Sequence, residues 1–246
     1  MNCCAIILAA GRGSRMGSLT DDLPKGLIGR AGFTTFESQL ENLSKVKIDQ
    51  IGVVTGYQAH HYEKFNVRSF LNSEWYASNM VYSLSKAFDW AGGFDKIIVS
   101  YADIFFSLDI FEKIFSCSSD IAIAYDVNWL ETWRARFDDP LEDAETFRMD
   151  HNNNLLEIGK KPKTTTEVEG QYMGLTTFSK KGWKQFFDFI FNLNIDEQKR
   201  IDMTGALDLF QASSLAKIKC IPFEGSWGEI DSKSDLELYF FKILKA

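Results

Sequence analysis

The chain opens with a short apolar strand, Cys4 to Leu8, that runs directly into Leu8-Ala9-Ala10-Gly11-Arg12-Gly13-Ser14-Arg15-Met16-Gly17, with Pro24-Lys25-Gly26 downstream. A strand ending in glycines constrains the fold strongly. Small residues let the backbone turn and converge its N–H groups on phosphate oxygens, and Arg12, Arg15 and Lys25 can add charge-assisted bonds. The pattern describes a polyphosphate pocket rather than an apolar one. Two familiar glycine loops are excluded by the letters. A P-loop needs Lys followed by Ser or Thr after its second glycine, and Lys25 lies well outside the loop. A dinucleotide loop needs a third glycine where Met16 stands and an acidic residue ending the second strand. That strand, Gln50 to Val54, ends in Thr55-Gly56-Tyr57.

Beyond the loop, short apolar runs alternate with amphipathic segments, which predicts an α/β fold with a parallel sheet covered on both faces. The pattern predicts helices over 35–43, 58–65, 78–88 and 108–115, and strands over 96–100 and 120–125. Residues 127–147 are less regular and rich in Trp, Arg, Asp and Glu, and two strand-like runs follow, 147–150 and 155–158. An insertion of this character around 127–172, carried on a rigid scaffold, is expected to carry substrate specificity. A strand at 174–178, helices near 180–192 and 203–213, a strand at 217–222 and a last helix over 235–244 complete the reading.

The 246 residues, 45% of them hydrophobic and without a Pro- or Ser-rich linker, suit one large domain spanning 1–246. A net charge of −7 argues against a nucleic-acid surface and confines phosphate binding to a local basic site. No run approaches the roughly 18 apolar residues of a membrane span, and Met1-Asn2-Cys3-Cys4 lacks a basic signal-peptide start, so a cytoplasmic protein without membrane insertion is expected. Cys3, Cys4, Cys117 and Cys220 have no metal or redox spacing and read as reduced thiols.

LAAGRGSRMG followed by PKGL resembles the signature of the nucleotidyltransferases of the glycosyltransferase-A-like fold, which join a nucleoside triphosphate to a phosphorylated acceptor and release pyrophosphate. The resemblance implies a single-domain Rossmann-like three-layer sandwich with a mainly parallel mixed sheet, of the nucleotide-diphospho-sugar transferase type. It makes Lys25 a clamp on the triphosphate and Arg15 its partner on the leaving pyrophosphate. Strand 96–100 delivers Tyr101-Ala102-Asp103 at its carboxyl end, where open α/β sheets place ligands. There Asp103 corresponds to the family's metal aspartate, although a turn or cap role is the plain alternative. Gly225-Ser226-Trp227-Gly228-Glu229-Ile230-Asp231 resembles the late motif whose Asp binds metal, with a helix N-cap as the alternative for Asp231. Two carboxylates match Mg²⁺, which keeps several waters and binds phosphate oxygens.

By the same resemblance the base is read by loop backbone, here Leu8, Ala9, Ala10, Gly11, Arg12 and Gly13 with Ala102 beside Asp103, and by Tyr57, Asn79 and Ser83. Ser78 to Leu84 resembles a stretch in bacterial phosphocholine cytidylyltransferases, which implies CTP. For the acceptor, aromatic faces attract quaternary ammonium groups. Trp129, Trp133 and Tyr172, with Asp138, Asp139, Glu142, Asp143 and Glu145, therefore suggest phosphocholine or a related phosphate or phosphonate. Lys161, in Lys160-Lys161-Pro162, and Glu229 are further acceptor-side candidates. Core packing and a solvated acidic face remain the alternative reading of these residues. A sugar 1-phosphate acceptor competes with the amine, weakened by Ser232-Lys233 standing where sugar enzymes have Gly-Thr. A non-catalytic nucleotide-binding module is the remaining alternative.

Overall fold

Alternation of apolar residues along each strand, with both sets buried, requires a layer on either face of the sheet. The computed structural model describes residues 1–30 and 33–243 and has this architecture. Its strands are β1 (Cys3–Ala9), β2 (Gly29–Arg30), β3 (Phe33–Thr34), β4 (Gln50–Thr55), β5 (Arg68–Leu71), β6 (Lys96–Tyr101), β7 (Ile104–Phe106), β8 (Ile121–Asp126), β9 (Phe147–Met149), β10 (Leu155–Ile158), β11 (Gln171–Ser179), β12 (Ile218–Phe223) and β13 (Trp227–Glu229). Its helices are α1 (Thr35–Ser44), α2 (Met80–Ser85), α3 (Phe88–Ala91), α4 (Ile110–Ser116), α5 (Trp129–Arg136), α6 (Lys180–Phe191), α7 (Ile195–Arg200), α8 (Met203–Ala212) and α9 (Lys233–Ile243).

The main sheet runs β12-β8-β11-β6-β1-β4-β5, parallel except for β11, which is antiparallel to both neighbours. On one face Cys4, Ile6 and Leu8 pack with Leu84 of α2, Trp183 and Phe187 of α6, and Leu207 of α8. On the other, Ala5, Ile7 and Ala9 pack with Phe36 of α1, Phe111 of α4 and Trp129 of α5. All four cysteines are free. Among the described residues no helix is long and apolar enough to cross a membrane.

The chain proceeds from β1 outward to β4 and β5, then crosses to β6 on the other side of β1. Open α/β sheets bind ligands outside the strands' carboxyl ends at such a reversal. Here Ala102 N–H donates to Leu8 O (3.0 Å), tying the two strand ends together. The antiparallel β11 brings its first residues to the same edge. Gly174, at φ +71°, makes this bend possible, because a Cβ there would stand 2.7 Å from the Tyr101 ring.

Two sequence expectations are corrected. Residues 58–65 form only a 3₁₀ turn, Ala59–Tyr62, because Gln58 takes a left-handed conformation (φ 48°) that cannot begin an α-helix. Segment 78–88 splits into α2 and α3, with Asn79 capping the first through its side chain. The edge strand β5, four residues long and largely exposed, and the short α5 and α7 were not expected. Residue 244 of the expected last helix lies outside the described residues.

Candidate active site

Lys25 stands at the centre of the strand-end cleft. Its ammonium contacts Asp103 Oδ2 and Asp231 Oδ1 (2.5 Å), so one cation bridges the two carboxylates assigned to metal from the sequence. Burial works to lower the Lys25 pKa, but the charges of Asp103 and Asp231 outweigh it and hold the group above its ordinary value. Gly13, at φ +76°, lies against the stem of this lysine. A Cβ at Gly13 would meet Lys25 Cβ at 2.6 Å, so the glycine lets the loop close over the side chain. Arg15 Nη2 reaches Asp231 Oδ1 (3.0 Å) from a side chain that is 63% exposed, leaving it free to reorient.

Asp103 is held from behind by a polar face of α1. Thr35 Oγ1 donates to Ala102 O (2.7 Å), and Gln39 Nε2 donates to both Tyr101 O (2.8 Å) and Ile104 O (2.7 Å). Asn42 Nδ2 donates to Phe106 O (2.8 Å), and Ile230 N–H donates to Asp103 O (2.9 Å). The turn between β6 and β7 is thus satisfied by side chains from one helix. Sequence reasoning missed these three residues, although polar letters at 35, 39 and 42 on the buried stripe of an amphipathic helix were a readable signal. At Asp231 burial acts to raise the pKa, but Lys25, Arg15 and Arg136 together hold it low. Arg136, also missed, is 1% exposed and pairs with Glu229, Asp231 and Asp235.

Of the nucleotide candidates, Leu8, Ala9, Ala10, Gly11, Gly13, Asn79, Ser83 and Ala102 line one cleft of about 200 Å³ together with Lys25 and Asp103. Gly26, Tyr62, Trp75, Ser78, Met80 and Tyr101 complete it and were not expected there. Arg12 and Tyr57 do not line it. The Tyr57 hydroxyl donates to Thr20 O (2.7 Å) and Asp21 O (2.5 Å), and Arg12 pairs with Asp21 (2.6 Å) while lying over the Tyr57 ring. Both brace the glycine loop from behind.

A second cleft, also about 200 Å³, shares Met80 and Tyr101 with the first and is lined by Arg15, Trp133, Asp143, Glu145, Gln171, Tyr172, Asp202, Thr204, Glu229 and Asp231. Of these, Glu145 and Asp202 have no ion-pair partner among the described residues. Burial, then the Asp202 charge, pushes Glu145 up to about 7. Asp202, Met203 and Thr204 were not read as acceptor-side residues because they come from the start of α8, remote from the insertion in sequence.

The aromatic cage is corrected. Trp129 is 4% exposed, packs in the core and donates its Nε1–H to Val168 O (3.1 Å). Trp133 lines the cleft, but its ring stacks on Trp227 (centroids 6.0 Å apart, planes at 12°) and already carries the Arg136 guanidinium (5.0 Å). A protein cation fills the role expected for a ligand. Tyr172 remains on the wall, its hydroxyl hydrogen-bonded with Thr176 Oγ1 (2.6 Å). Lys161 is absent from the cleft; its ammonium binds Leu141 O (2.6 Å) and Glu142 O and staples the surface loop.

A sequence model of the MobA-like NTP transferase domain matches residues 5–146, which carry the loop, Lys25 and Asp103. The chain belongs to the MobA-like NTP transferase family. It is therefore a nucleotidyltransferase. It is 34% identical to the CTP:phosphoglutamine cytidylyltransferase of Campylobacter jejuni across 97% of this chain and 99% of that one. It is 35% identical to the choline-phosphate cytidylyltransferase of Haemophilus influenzae over 44% of this chain and 46% of that one. Among solved structures, the inositol-1-phosphate CTP transferase from T. maritima superposes with a TM-score of 0.76 at 20% identity, covering 98% of this chain and 94% of that chain. The CTP:phosphocholine cytidylyltransferase from Streptococcus pneumoniae superposes at 0.71 with 20% identity, covering 99% and 100%. The expected fold class, a mainly parallel mixed sheet of the nucleotide-diphospho-sugar transferase type, is borne out by these superpositions.

Proposed function

We propose that this MobA-like transferase moves a cytidylyl group from CTP to a small phosphorylated acceptor bearing a primary ammonium, with Mg²⁺ as cofactor and pyrophosphate as second product. CTP is supported by the 34% identity along nearly the whole chain to an enzyme named for CTP. The acceptor class is supported by one observation: the second cleft is lined by Glu145 and Asp202, two carboxylates with no ion-pair partner among the described residues. A primary ammonium would supply the missing charge and three N–H donors, whereas a quaternary ammonium offers charge alone and would rely on the aromatic rings described above. A sugar 1-phosphate brings hydroxyls but no charge to offset this pair.

The residues present suit a divalent ion. Asp103 Oδ1 is buried without a hydrogen-bond partner, and the other oxygen shares the Lys25 ammonium with Asp231. Two carboxylates suit Mg²⁺, which retains several waters and takes phosphate oxygens. When bound, Mg²⁺ would neutralise phosphate charge and align the α-phosphate. Lys25 and Arg15 would then turn from the carboxylates to the β- and γ-phosphates, where negative charge grows as the bond to the leaving pyrophosphate breaks. An acceptor phosphate oxygen forms the new bond to the α-phosphorus. That phosphate is already dianionic near neutrality, so no general base is required.

The reading is tested by pyrophosphate release from CTP and Mg²⁺ with phosphoethanolamine, phosphocholine, a phosphorylated amino acid and glucose 1-phosphate under identical conditions. The primary amines should show the highest kcat/KM and the sugar phosphate the lowest. Preference for phosphocholine or for the sugar would overturn the ammonium assignment, and turnover with UTP or ATP above CTP would overturn the nucleotide.

A further inference from the structure

Asp231 is contacted by a residue of α5, the helix whose Trp133 lines the second cleft. Arg136 closes α5, and its guanidinium reaches three carboxylates of the segment from β13 into α9. Nη1 donates to Glu229 Oε1 (2.6 Å), Nε to Asp235 Oδ1 (2.8 Å), and Nη2 to Asp235 Oδ2 (3.3 Å) and Asp231 Oδ2 (3.5 Å). The two oxygens of Asp231 are thereby divided. Oδ2 faces Arg136, and Oδ1 faces Lys25 and Arg15. Asp235 adds a second hold, because its Oδ2 also accepts from the backbone N–H of Asp231 (3.1 Å) and Ser232 (2.9 Å). One buried cation thus fixes both the main chain and the side chain of Asp231.

Three carboxylates in contact with one another's surroundings would repel and splay without a cation among them. Arg136 supplies that cation in a planar fork, which a lysine ammonium cannot reproduce. The same guanidinium lies over Trp133, the aromatic wall of the second cleft, so the helix that lines this cleft also sets the orientation of Asp231.

We infer that Arg136 is a positioning residue that presents Asp231 Oδ1 to the divalent cation and so couples the wall of the second cleft to metal binding. This rests on the metal role proposed for Asp231. Residues behind a metal ligand typically change metal affinity or activity by about 10–100-fold when replaced. Arg136→Lys keeps the charge and the buried stem, and Arg136→Met keeps the volume alone. Mn²⁺ bound in the presence of CTP, followed by electron paramagnetic resonance, gives a readout independent of turnover. Mn²⁺ affinity should fall by about tenfold or more in Arg136→Met and less in Arg136→Lys, with the metal concentration for half-maximal rate rising in step. The KM for CTP at saturating metal should stay near wild type. Should Arg136→Met fail to fold by circular dichroism, Arg136→Lys decides alone. Asp231→Asn is measured beside them. If Asp231→Asn lowers Mn²⁺ affinity while the folded Arg136 variants stay within about twofold of wild type, the positioning role is overturned. If Asp231→Asn leaves Mn²⁺ binding intact, the metal reading itself fails.

Discussion

Glu145 lies in the second cleft beside Asp202 and Thr204, with burial as the main cause of its raised pKa of about 7. A carboxyl whose folded pKa exceeds its unfolded value costs nothing while protonated in both states, and it destabilises the fold as pH rises from the unfolded value of about 4.3 through 7. Glu145→Gln should therefore raise the Tm near pH 8, and the gain should vanish near pH 4, corresponding to at most about 4 kcal/mol. Function should respond oppositely. Only the ionised carboxylate attracts an ammonium, so the acceptor KM should rise as pH falls below about 7, and that part of the pH dependence should be missing in Glu145→Gln. Melting curves and acceptor KM across this range, on both proteins, check the prediction. A Glu145→Gln protein with an unchanged acceptor KM profile would remove Glu145 from the acceptor end. Asp202 shows why this site was only half legible. Its letter in Arg200-Ile201-Asp202-Met203 reads as an ordinary helix cap, and it does cap α8 by accepting from Gly205 N–H (2.8 Å). Only the packing of α8 against the insertion gives the same carboxylate a place in the cleft.

At the scale of elements, α1 shows how a scaffold holds the turn that carries Asp103. Its apolar residues Phe36 and Leu43 face the core, while Thr35, Gln39 and Asn42, all 2% exposed or less, reach the ends of β6 and β7. Gln39 is the central member: besides its two donated bonds, its Oε1 accepts from Ser100 Oγ (2.5 Å). Gln39→Leu fills much the same space but strands two carbonyls and a hydroxyl. Each buried polar group left unpaired costs about 1–3 kcal/mol, so the variant should melt several degrees lower. Because the affected carbonyls flank Ala102-Asp103, kcat should also drop, with the KM for CTP less affected. Gln39→Glu, which keeps the acceptor but replaces both N–H donors with a carboxylate oxygen facing the two carbonyls, should be at least as destabilising. A Gln39→Leu enzyme with normal kcat at a temperature where it is folded would show that the turn needs no such clasp. The long, periodic elements, β1, α1, β6 and α6, were legible because burial on one stripe dictates their letters. The pieces that escaped were short or polar. Helix α7 has the capping box Asn194 to Glu197 in plain view, but at six residues it offers no full apolar stripe.

Across the whole molecule, the two clefts are walls of one depression along the carboxyl edge of the sheet. They meet at Met80 and Tyr101, with Arg15 and Asp231 on one side of the junction and Lys25 and Asp103 on the other. The parallel strands β1 and β6 supply the first cleft and the reversed strand β11 begins the second, so a single sheet edge carries both clefts and, between them, Asp103 and Asp231. The overall charge of −7 leaves this basic loop a local feature. Among the described residues no histidine or cysteine lines either cleft, and Cys3, Cys4 and Cys220 are buried, where burial raises their thiol pKa values. An arrangement of two adjoining sites without an activated nucleophile favours direct attack of acceptor phosphate on the α-phosphorus while both substrates are bound. Initial rates with both substrates varied should give intersecting double-reciprocal lines, and the configuration at a chiral α-thiophosphate should invert once. Exchange of labelled pyrophosphate into CTP should require the acceptor or its product. Parallel lines, retention at phosphorus, or exchange with CTP and metal alone would each require a nucleotidylated side chain and overturn the direct transfer.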